Sequence, residues 1–346
     1  MQAPLDSPSP ALPEEARPSA PRGDAALELS AVVPMLNEAE NLPLLAPRLV
    51  AVLEPLGSFE VIFVDDGSTD ATMDAARALN AADPRFRCVS LSRNFGKEIA
   101  IAAGLEHCRG KAAIILDADL QHPPEMIAKF VTLWRQGYEN VYGQRVDRSG
   151  DSALRRALTE RFYALFSQFG ETPLPPGAGD FRLLDRKAVD ALNTMQERAR
   201  FSKGLYAWIG FKSIGVPFEV AERAHGESKF SYRKLTRFAF DGLAAFSSLP
   251  LVVWTYVGFV ISFMALAGAI YFLLEYIIRG AQTPGFASLI VSVMMLSGVQ
   301  LLSLGVLGGY IGRIFAEVKR RPLYVVGERV GVEAAPDRRR VSRADV

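Results

Sequence analysis

Two long segments without a charged residue set the strongest limit on how this chain can fold. They cover residues 251–274 and 286–312. A helix of about 20 apolar residues crosses the hydrocarbon core of a bilayer, so each segment is long enough to span a membrane. We therefore predict transmembrane helices over residues 250–278 and 286–312. Two core helices of a soluble protein are the weaker alternative at this length.

Basic residues flank the two segments on one side. Three of them precede the first segment and four follow the second: Arg233, Lys234 and Arg237, then Arg313, Lys319, Arg320 and Arg321. Because cationic flanks stay in the cytoplasm, both termini and the large region before the segments are predicted to be cytoplasmic. Residues 231–249 carry apolar side chains at helical spacing beside basic ones, which is typical of an amphipathic helix on a bilayer surface.

Both ends of the chain are predicted to lack a core. Residues 1–27 are rich in Pro, Ala and Ser, and such a composition buries too little apolar surface to become ordered. Residues 313–346 read as a basic cytoplasmic tail, which we expect to be disordered after about Gly327.

Cys88 and Cys108 lack the spacing of metal ligands and are expected to be free thiols. The formal net charge of +1 says little about partners. We expect no nucleic-acid partner.

Strands and helices alternate through the predicted catalytic domain, residues 28–230. Apolar runs of strand length cover residues 29–34, 59–64, 86–91 and 113–116, with later strands before residue 145 and at 216–220. Helices are predicted between them, ending near residues 56, 81, 108 and 136, and further helices over 152–169 and 187–195. This alternation indicates right-handed βαβ units and an α/β fold with a mostly parallel sheet.

Two carboxylates follow the strand predicted at residues 113–116. They are Asp117 and Asp119, and Gln121 comes two residues later. Polar residues directly after a buried parallel strand lie at its carboxyl end, where open α/β sheets bind ligands. Oxygen donors suit Mg²⁺ or Mn²⁺, which proteins hold with one or two carboxylates plus substrate phosphates. The pattern predicts a site for a metal and a diphosphate, and a solvated Asp-rich turn is the open alternative.

Acidic residues also follow the second strand. Asp65 and Asp66 come too early to cap the next helix, so they are candidates for accepting hydrogen bonds from a base or a ribose. Asp70 is better placed as a cap. The chain contains neither G-x-G-x-x-G nor a P-loop motif, so phosphate binding would depend on a metal and on basic side chains.

Four further residues are candidates for binding anions or an acceptor. Asp180 lies at a loop-to-strand junction, and Arg145 lies just past a short strand, where a surface arginine is the alternative. Arg223 and Lys229 flank a glycine in an irregular loop, which suits a segment that folds over an anionic ligand. A basic stop before membrane entry is the alternative interpretation of that pair.

Five motifs occur together in a fixed order. They are Val33-Pro34 through Asn37-Glu38, Val64-Asp65-Asp66-Gly67-Ser68, Asp117-Ala118-Asp119-Leu120-Gln121, Gly179-Asp180-Phe181-Arg182 and His225-Gly226-Glu227-Ser228-Lys229. This set resembles the family 2 glycosyltransferases with the GT-A fold. More narrowly, it is similar to the polyprenyl-phosphate glycosyltransferases, such as dolichol-phosphate mannose synthase and the bacterial undecaprenyl-phosphate (bactoprenol) glucosyltransferases. The paired uncharged segments favour the bacterial group, and hence a multi-pass protein of the bacterial inner membrane.

The resemblance implies roles for residues that match the family's motifs. The residues implied to bind the nucleotide-sugar are Pro34, Leu36, Glu38, Val64, Asp66, Asp117, Ala118, Arg145 and Lys229. The catalytic residues implied are Asp119, Asp180 and Arg223, of which Asp180 would sit on the acceptor side. Asp119 and Gln121 would hold the metal, Mg²⁺ or Mn²⁺. His122 departs from the family, because an acidic residue is common at that position.

The reaction implied is transfer of a sugar, with inversion, from a nucleotide-sugar to polyprenyl phosphate. UDP-glucose and undecaprenyl phosphate are the leading substrates, and GDP-mannose is an alternative donor. A processive polysaccharide synthase is less consistent, because the chain lacks a Q-x-x-R-W motif. A catalytically inactive membrane scaffold for a lipid flippase is the alternative outside enzymes. Glycines repeat at helical spacing in the second segment, at 305 and 309 and at 308 and 312. Such small faces pack helices together and weakly favour a homo-oligomer, for example a tetramer.

Overall fold

The computed structural model describes residues 27–145, 177–198, 200–218, 249–279 and 285–333. Within these ranges the strands are β1 (Leu29–Met35), β2 (Phe59–Asp65), β3 (Phe86–Leu91), β4 (Ala112–Ile115), β5 (Asn140–Arg145), β6 (Ala178–Asp185), β7 (Ser213–Phe218) and β8 (Val326–Val330). The helices are α1 (Leu42–Leu53), α2 (Thr72–Ala82), α3 (Lys97–His107), α4 (Met126–Arg135), α5 (Arg186–Thr194), α6 (Ser202–Trp208), α7 (Leu249–Arg279) and α8 (Phe286–Val318). The predicted strand–helix alternation is confirmed.

The strands form a single mixed sheet in the order β7-β5-β6-β4-β1-β2-β3-β8. β1 lies between β2 and β4 and is parallel to both, β2 is parallel to β3, and β5 is parallel to β7. β6 runs antiparallel to β4 and β5, and β8 runs antiparallel to β3. The prediction of a mostly parallel sheet is therefore correct, with two antiparallel strands added to it.

The direction of the chain across the sheet reverses beside β1. The chain passes from β1 to β2 and β3, and then returns through α3 so that β4 lies on the other side of β1. Such a reversal separates the loops that follow the two neighbouring strands and leaves a crevice at their carboxyl ends. By this rule, the edge of the sheet where β1 and β4 end is the candidate ligand crevice.

Helices cover both faces of the sheet. One core, which includes Leu45 of α1, Ala76 of α2 and Phe130 of α4, lies on one face. The other core includes Ile101 of α3 and Leu205 of α6. β1 is buried along its whole length, as expected for a central parallel strand with helices on both sides. Cys88 and Cys108 are buried and free, as the sequence predicts.

α3 approaches the sheet very closely at Gly104. A Cβ atom added there would lie 2.2 Å from Cγ1 of Val32 and 3.0 Å from Cγ2 of Val64. Glycine is the residue that allows a helix backbone to come this near to a strand. The same helix begins at Lys97, so the contact sets the distance between the crevice and the start of α3.

The expectation of disorder after about Gly327 is wrong for residues 327–333, and residues 334–346 lie outside the described part of the chain. Val326–Val330 forms β8, which pairs with β3 and covers that edge of the sheet. Arg77 makes two hydrogen bonds to the Glu328 carboxylate, at 3.0 and 2.8 Å, and Arg87 Nε donates to the Gly331 carbonyl at 2.6 Å. Pairing with β3 gives hydrogen-bond partners to backbone N–H and C=O groups that would be unpaired if β3 were an exposed edge strand. Residues 326–331 are therefore part of the folded domain.

α7 and α8 are 31 and 33 residues long. Over the described residues, one stretch is long and apolar enough to cross a bilayer, Ser292–Val318, and α7 contributes a shorter apolar stretch, Trp254–Gly268. Large apolar side chains on both helices are exposed, including Phe259, Phe263 and Leu301. A first membrane span over α7 thus stays a prediction, and the helices predicted over residues 152–169 and 231–249 lie outside the described residues.

Candidate active site

The crevice gathers side chains from four strand ends. β1, β2 and β4 end at this edge, and the antiparallel β6 begins there. Ile115 of β4 pairs with Arg182 of β6, so continuing the register by two residues sets Asp117 opposite Asp180. Two of the predicted site residues, far apart in sequence, are thus brought together by one antiparallel strand pair.

Lys97 joins these two carboxylates. Its ammonium lies 2.6 Å from Oδ1 of Asp117 and 3.2 Å from Oδ2 of Asp180. Burial would lower the pKa of Lys97, but the charges of the two carboxylates outweigh burial and raise it. Lys97 is therefore a fixed cation, and its side chain remains 44% exposed at the mouth of the crevice. It is well placed to meet an anionic ligand.

Sequence reasoning missed Lys97. Its position in the sequence could have indicated a role. Gly96-Lys97 follows β3, at the same edge of the sheet as the acidic residues. The pairing of Lys97 with Asp117 and Asp180 depends on contacts between distant parts of the chain.

The Asp117–Gln121 loop turns sharply after β4. Leu120 has a φ of +61°, in the left-handed region, and the Gln121 amide donates to Oδ1 of Asp119 at 3.1 Å. Asp119 and Gln121 are both partly buried, and Ala118 between Asp117 and Asp119 is buried. The loop is thus held in part by a backbone-to-side-chain hydrogen bond, and its oxygen-bearing side chains occupy alternate positions: 117, 119 and 121.

The donor set of this loop fits a metal shared with a ligand. Among the described residues no three His, Cys, Asp or Glu side chains converge to form a metal cage. Mg²⁺, however, usually keeps several waters and is bound by one or two carboxylates together with substrate phosphates. The oxygens of Asp119 and Gln121 match that chemistry, with the remaining ligands supplied by a diphosphate and water.

His122 packs beneath the loop. Its ring stacks on Phe181 with centroids 4.8 Å apart, and its Nδ1 accepts a hydrogen bond from the Asp117 amide at 3.2 Å. Burial lowers the pKa of His122, and the charge of Asp117 opposes this effect only in part. The residue that departs from the family pattern thus supports the backbone of Asp117.

Asp65 and Asp66 hold loops around the crevice. Asp66 accepts from the amides of Phe95 and Gly96, at 2.7 and 2.8 Å, one on each oxygen. Burial raises the pKa of Asp66, and these two amides offset the effect only in part. Asp65 accepts from the Ser68 amide at 3.0 Å. Each carboxylate therefore has a structural contact, and Asp66 fixes the loop that leads to Lys97.

A short relay of hydrogen bonds joins the loops after β1 and β2. Thr72 donates to Asp70 at 2.5 Å and accepts from the Glu38 amide at 2.8 Å. Asn37, with a φ of +58°, accepts from the Thr69 amide at 2.9 Å. Asp70 is thus a structural residue, as predicted, and its relay fixes the backbone at Glu38.

The remaining predicted residues fall in three groups. Pro34 and Val64 are buried partners on β1 and β2, and Leu36 follows β1 partly exposed. Arg145 ends β5. Arg223 and Lys229 lie outside the described residues, as do their predicted contacts with phosphate.

Behind Asp180 lies a second layer of charged groups. Burial alone would raise the pKa of Asp180, but the surrounding cations hold it well below its usual range; they are Lys97, Lys203 and Arg182. Burial, reinforced by the charge of Asp180, raises the pKa of Glu98 to about 7. The site therefore keeps Asp180 ionised and leaves Glu98 close to its midpoint near neutral pH. Glu98 was not recognised from the sequence.

The mixed sheet with helices on both faces is an α/β fold, and open sheets of this kind bind ligands at the carboxyl ends of their strands. A family model described as "Glycosyl transferase family 2" matches residues 30–192. The chain is 47% identical, over 90% of its length and 98% of the relative, to an uncharacterized glycosyltransferase of Synechocystis. It is 42% identical to the SfII prophage-derived bactoprenol glucosyl transferase of Shigella flexneri, over 87% of this chain and 97% of the relative. The chain belongs to glycosyl transferase family 2 and has the GT-A fold.

Solved structures give more distant matches. The mannosyltransferase PcManGT of Pyrobaculum calidifontis, in complex with GDP-Man and Mn²⁺, is 17% identical with a TM-score of 0.42, over 80% of this chain and 83% of that one. Glucosyl-3-phosphoglycerate synthase of Mycobacterium tuberculosis, in complex with Mn²⁺ and UDP-glucose, is 20% identical with a TM-score of 0.40, over 62% and 76%.

Proposed function

We propose that this glycosyltransferase moves glucose, with inversion, from UDP-glucose to undecaprenyl phosphate at the bacterial inner membrane. The observation that carries the proposal is similarity over nearly the full length of relatives named bactoprenol glucosyl transferase, at 41–42% identity. The aligned part covers 87–88% of this chain. It is therefore too long to be confined to the nucleotide-binding half and includes part of the region of the long apolar helices.

The acceptor explains why the crevice holds fixed charges. A lipid phosphate is already anionic near neutral pH, so its attack on the sugar needs no strong general base. The difficulty is electrostatic, because two anions must meet while a diphosphate departs. Cations that are held in place before the reaction stabilise such charge without reorganising. Lys97, fixed between Asp117 and Asp180, meets that need from within the protein.

Asp119 and Gln121 are proposed to hold Mg²⁺ or Mn²⁺. When bound, the metal would neutralise charge on the departing diphosphate. The backbone amide of Gln121 donates a hydrogen bond to Asp119, so the protein orients this carboxylate without a ligand. Arg145, Arg223 and Lys229 are proposed to bind phosphate of the donor or of the lipid, because arginine and lysine are well suited to that charge.

The nucleotide is proposed to lie over the ends of β1 and β2. Pro34, Leu36 and Val64 would supply the apolar wall, and Glu38 and Asp66 the hydrogen-bond acceptors. The relay from Asp70 through Thr72 supports this role, because it fixes the Glu38 backbone. Asp117 and Ala118 would contact the nucleotide from the β4 side. Asp180 would position the acceptor or act as a weak base.

Membrane attachment is proposed to involve both α7 and α8, with the catalytic domain and both termini in the cytoplasm. The exposed apolar side chains of both helices support this arrangement, since a soluble domain rarely leaves so large an apolar surface uncovered. An amphipathic helix over residues 231–249 would lie on the bilayer between the domain and α7. We further propose a homo-oligomer within the membrane.

The test is a donor screen with detergent-purified protein. The protein is mixed with undecaprenyl phosphate, Mg²⁺ or Mn²⁺, and one radiolabelled donor at a time: UDP-glucose, UDP-galactose, UDP-N-acetylglucosamine or GDP-mannose. We expect label from UDP-glucose in an organic-extractable lipid that is labile to mild acid. Label from GDP-mannose alone would overturn the donor and keep the reaction class. No lipid product from any donor would favour the scaffold alternative.

A further inference from the structure

A closed ring of contacts surrounds Asp180 on the face of the sheet covered by α3 and α6. Asp180 and Arg182 lie two residues apart on β6 and therefore face the same side. Lys97 contacts Asp180, and Glu98, the next residue of α3, accepts a hydrogen bond from the Ser202 amide at 3.2 Å. That contact attaches the start of α6 to the start of α3.

Arg182 closes the ring from inside the protein. Its Nη2 donates to the Gly179 carbonyl at 2.5 Å, and its Nη1 reaches Oδ1 of Asn140 at 3.4 Å. The guanidinium thus holds the backbone one residue before Asp180 and connects it to β5. Arg182 is only 2% exposed, so no bulk solvent competes for these contacts.

Tyr206 of α6 supplies the support for Arg182. The guanidinium carbon lies 3.6 Å from the centroid of the Tyr206 ring, well within the range of a cation–π contact. The Tyr206 hydroxyl is buried and, among the described residues, has no hydrogen-bond partner. The aromatic ring, rather than the hydroxyl, is therefore the part of Tyr206 that acts on Arg182.

We infer that Arg182, stacked on Tyr206, is a positioning residue for Asp180 in the transfer reaction. The inference rests on the proposed function. In the described part of the chain no hydrogen bond or ion pair joins Arg182 to Asp180. Besides its charge, Arg182 therefore acts on the position of Asp180 through the Gly179 backbone and through the α6–α3 contact. Oδ1 of Asp180 is buried and lacks a hydrogen-bond partner among the described residues, so the carboxylate is oriented by its backbone and by the contact of Oδ2 with Lys97.

Substitutions at Arg182 and Tyr206 separate this role from plain packing. Arg182→Lys keeps the charge but loses the planar guanidinium that stacks on Tyr206 and donates to the Gly179 carbonyl. We expect its kcat to fall by about 10- to 100-fold, as for a small misplacement of a reacting group, with the KM for UDP-glucose unchanged. Tyr206→Leu removes the stacking surface and should lower kcat in the same way. Tyr206→Phe is the matched control, which keeps the ring and should keep wild-type kcat.

A double-mutant cycle with Asp180→Asn decides the question. If Arg182 acts through Asp180, Arg182→Lys should cause little further loss of kcat once Asp180 is replaced. The same fold-loss in both backgrounds would overturn the inference, as would wild-type kcat in folded Arg182→Lys and Tyr206→Leu. If Arg182→Lys does not fold, the cycle is run with Tyr206→Leu, which leaves all charges in place.

Wild-type enzyme measured in the same assay separates the two proposals. Absence of lipid product in the wild type counts against the proposed function. Normal wild-type transfer with an additive cycle counts against the role of Arg182 alone.

Discussion

Gly104 offers a quantitative test of how α3 is held against the sheet. In Gly104→Ala the new methyl group would lie 2.2 Å from Val32 Cγ1, where ordinary contacts begin near 3.4 Å. The helix and strand must therefore separate by about 1 Å or more. Overpacking of this kind costs about 1–3 kcal/mol, and the severe overlap favours the upper end.

Alanine also restores helix propensity, which works in the opposite direction. Replacing a helical glycine by alanine gains about 1 kcal/mol, so the net loss of stability is about 2 kcal/mol. For a domain of this size that corresponds to a fall in melting temperature of about 4–8 °C. The variant should also transfer sugar more slowly, because Lys97 begins the displaced helix.

Tryptophan fluorescence during thermal unfolding in detergent measures this effect, since Trp134 and Trp208 lie in the catalytic domain. Gly258→Ala is the matched control, because nothing lies within 4 Å of a Cβ added there. Its melting temperature should stay at or slightly above that of the wild type. An unchanged melting temperature in Gly104→Ala would refute the close contact between α3 and the sheet.

Three further predictions follow from the site and the C-terminal strand. Lys97→Met leaves Asp117 and Asp180 without their shared cation, so lipid labelling should fall by about 100-fold or more; a wild-type rate would contradict the bridging role. Glu98→Gln should flatten the dependence of stability on pH. The folded pKa of about 7 exceeds the usual 4.5, so the stability contributed by protonated Glu98 is fully present below pH 4.5 and lost as pH rises to 7. The loss is at most about 3 kcal/mol, and thermal unfolding at pH 5 and pH 8 checks it. A chain that ends at Arg321 lacks β8 and should melt at a lower temperature than one that ends at Glu333; equal melting temperatures would show that β8 contributes nothing.

Local pattern was sufficient to predict the parallel half of the sheet. β1, β2 and β3 begin at the predicted residues 29, 59 and 86, because each is an apolar run bounded by turns. Asp180, predicted at a loop-to-strand junction, lies within β6, two residues after the strand begins at Ala178. These features are encoded within a few residues of where they appear.

The features that sequence reasoning missed all depend on distant contacts. β8 is a five-residue strand that pairs with β3, more than 200 residues earlier in the chain. Its sequence, Val-Gly-Glu-Arg-Val, is too short and too polar to be distinguished from a disordered tail by its pattern alone. Lys97 likewise has no local mark of function, and it becomes part of the site because the fold brings the loop after β4 and the start of β6 to the start of α3. Asp66, predicted to bind a ligand, also holds the loop before Lys97, a role set by contacts to residues 95 and 96.

The most direct test of the account is lipid labelling by Asp119→Ala. The account predicts that this variant forms no labelled lipid, while its expression, membrane insertion and melting temperature match the wild type. Asp83→Ala, in the loop between α2 and β3, is the control and should keep full activity. Wild-type labelling by Asp119→Ala would contradict the central claim that the loop after β4 carries the chemistry.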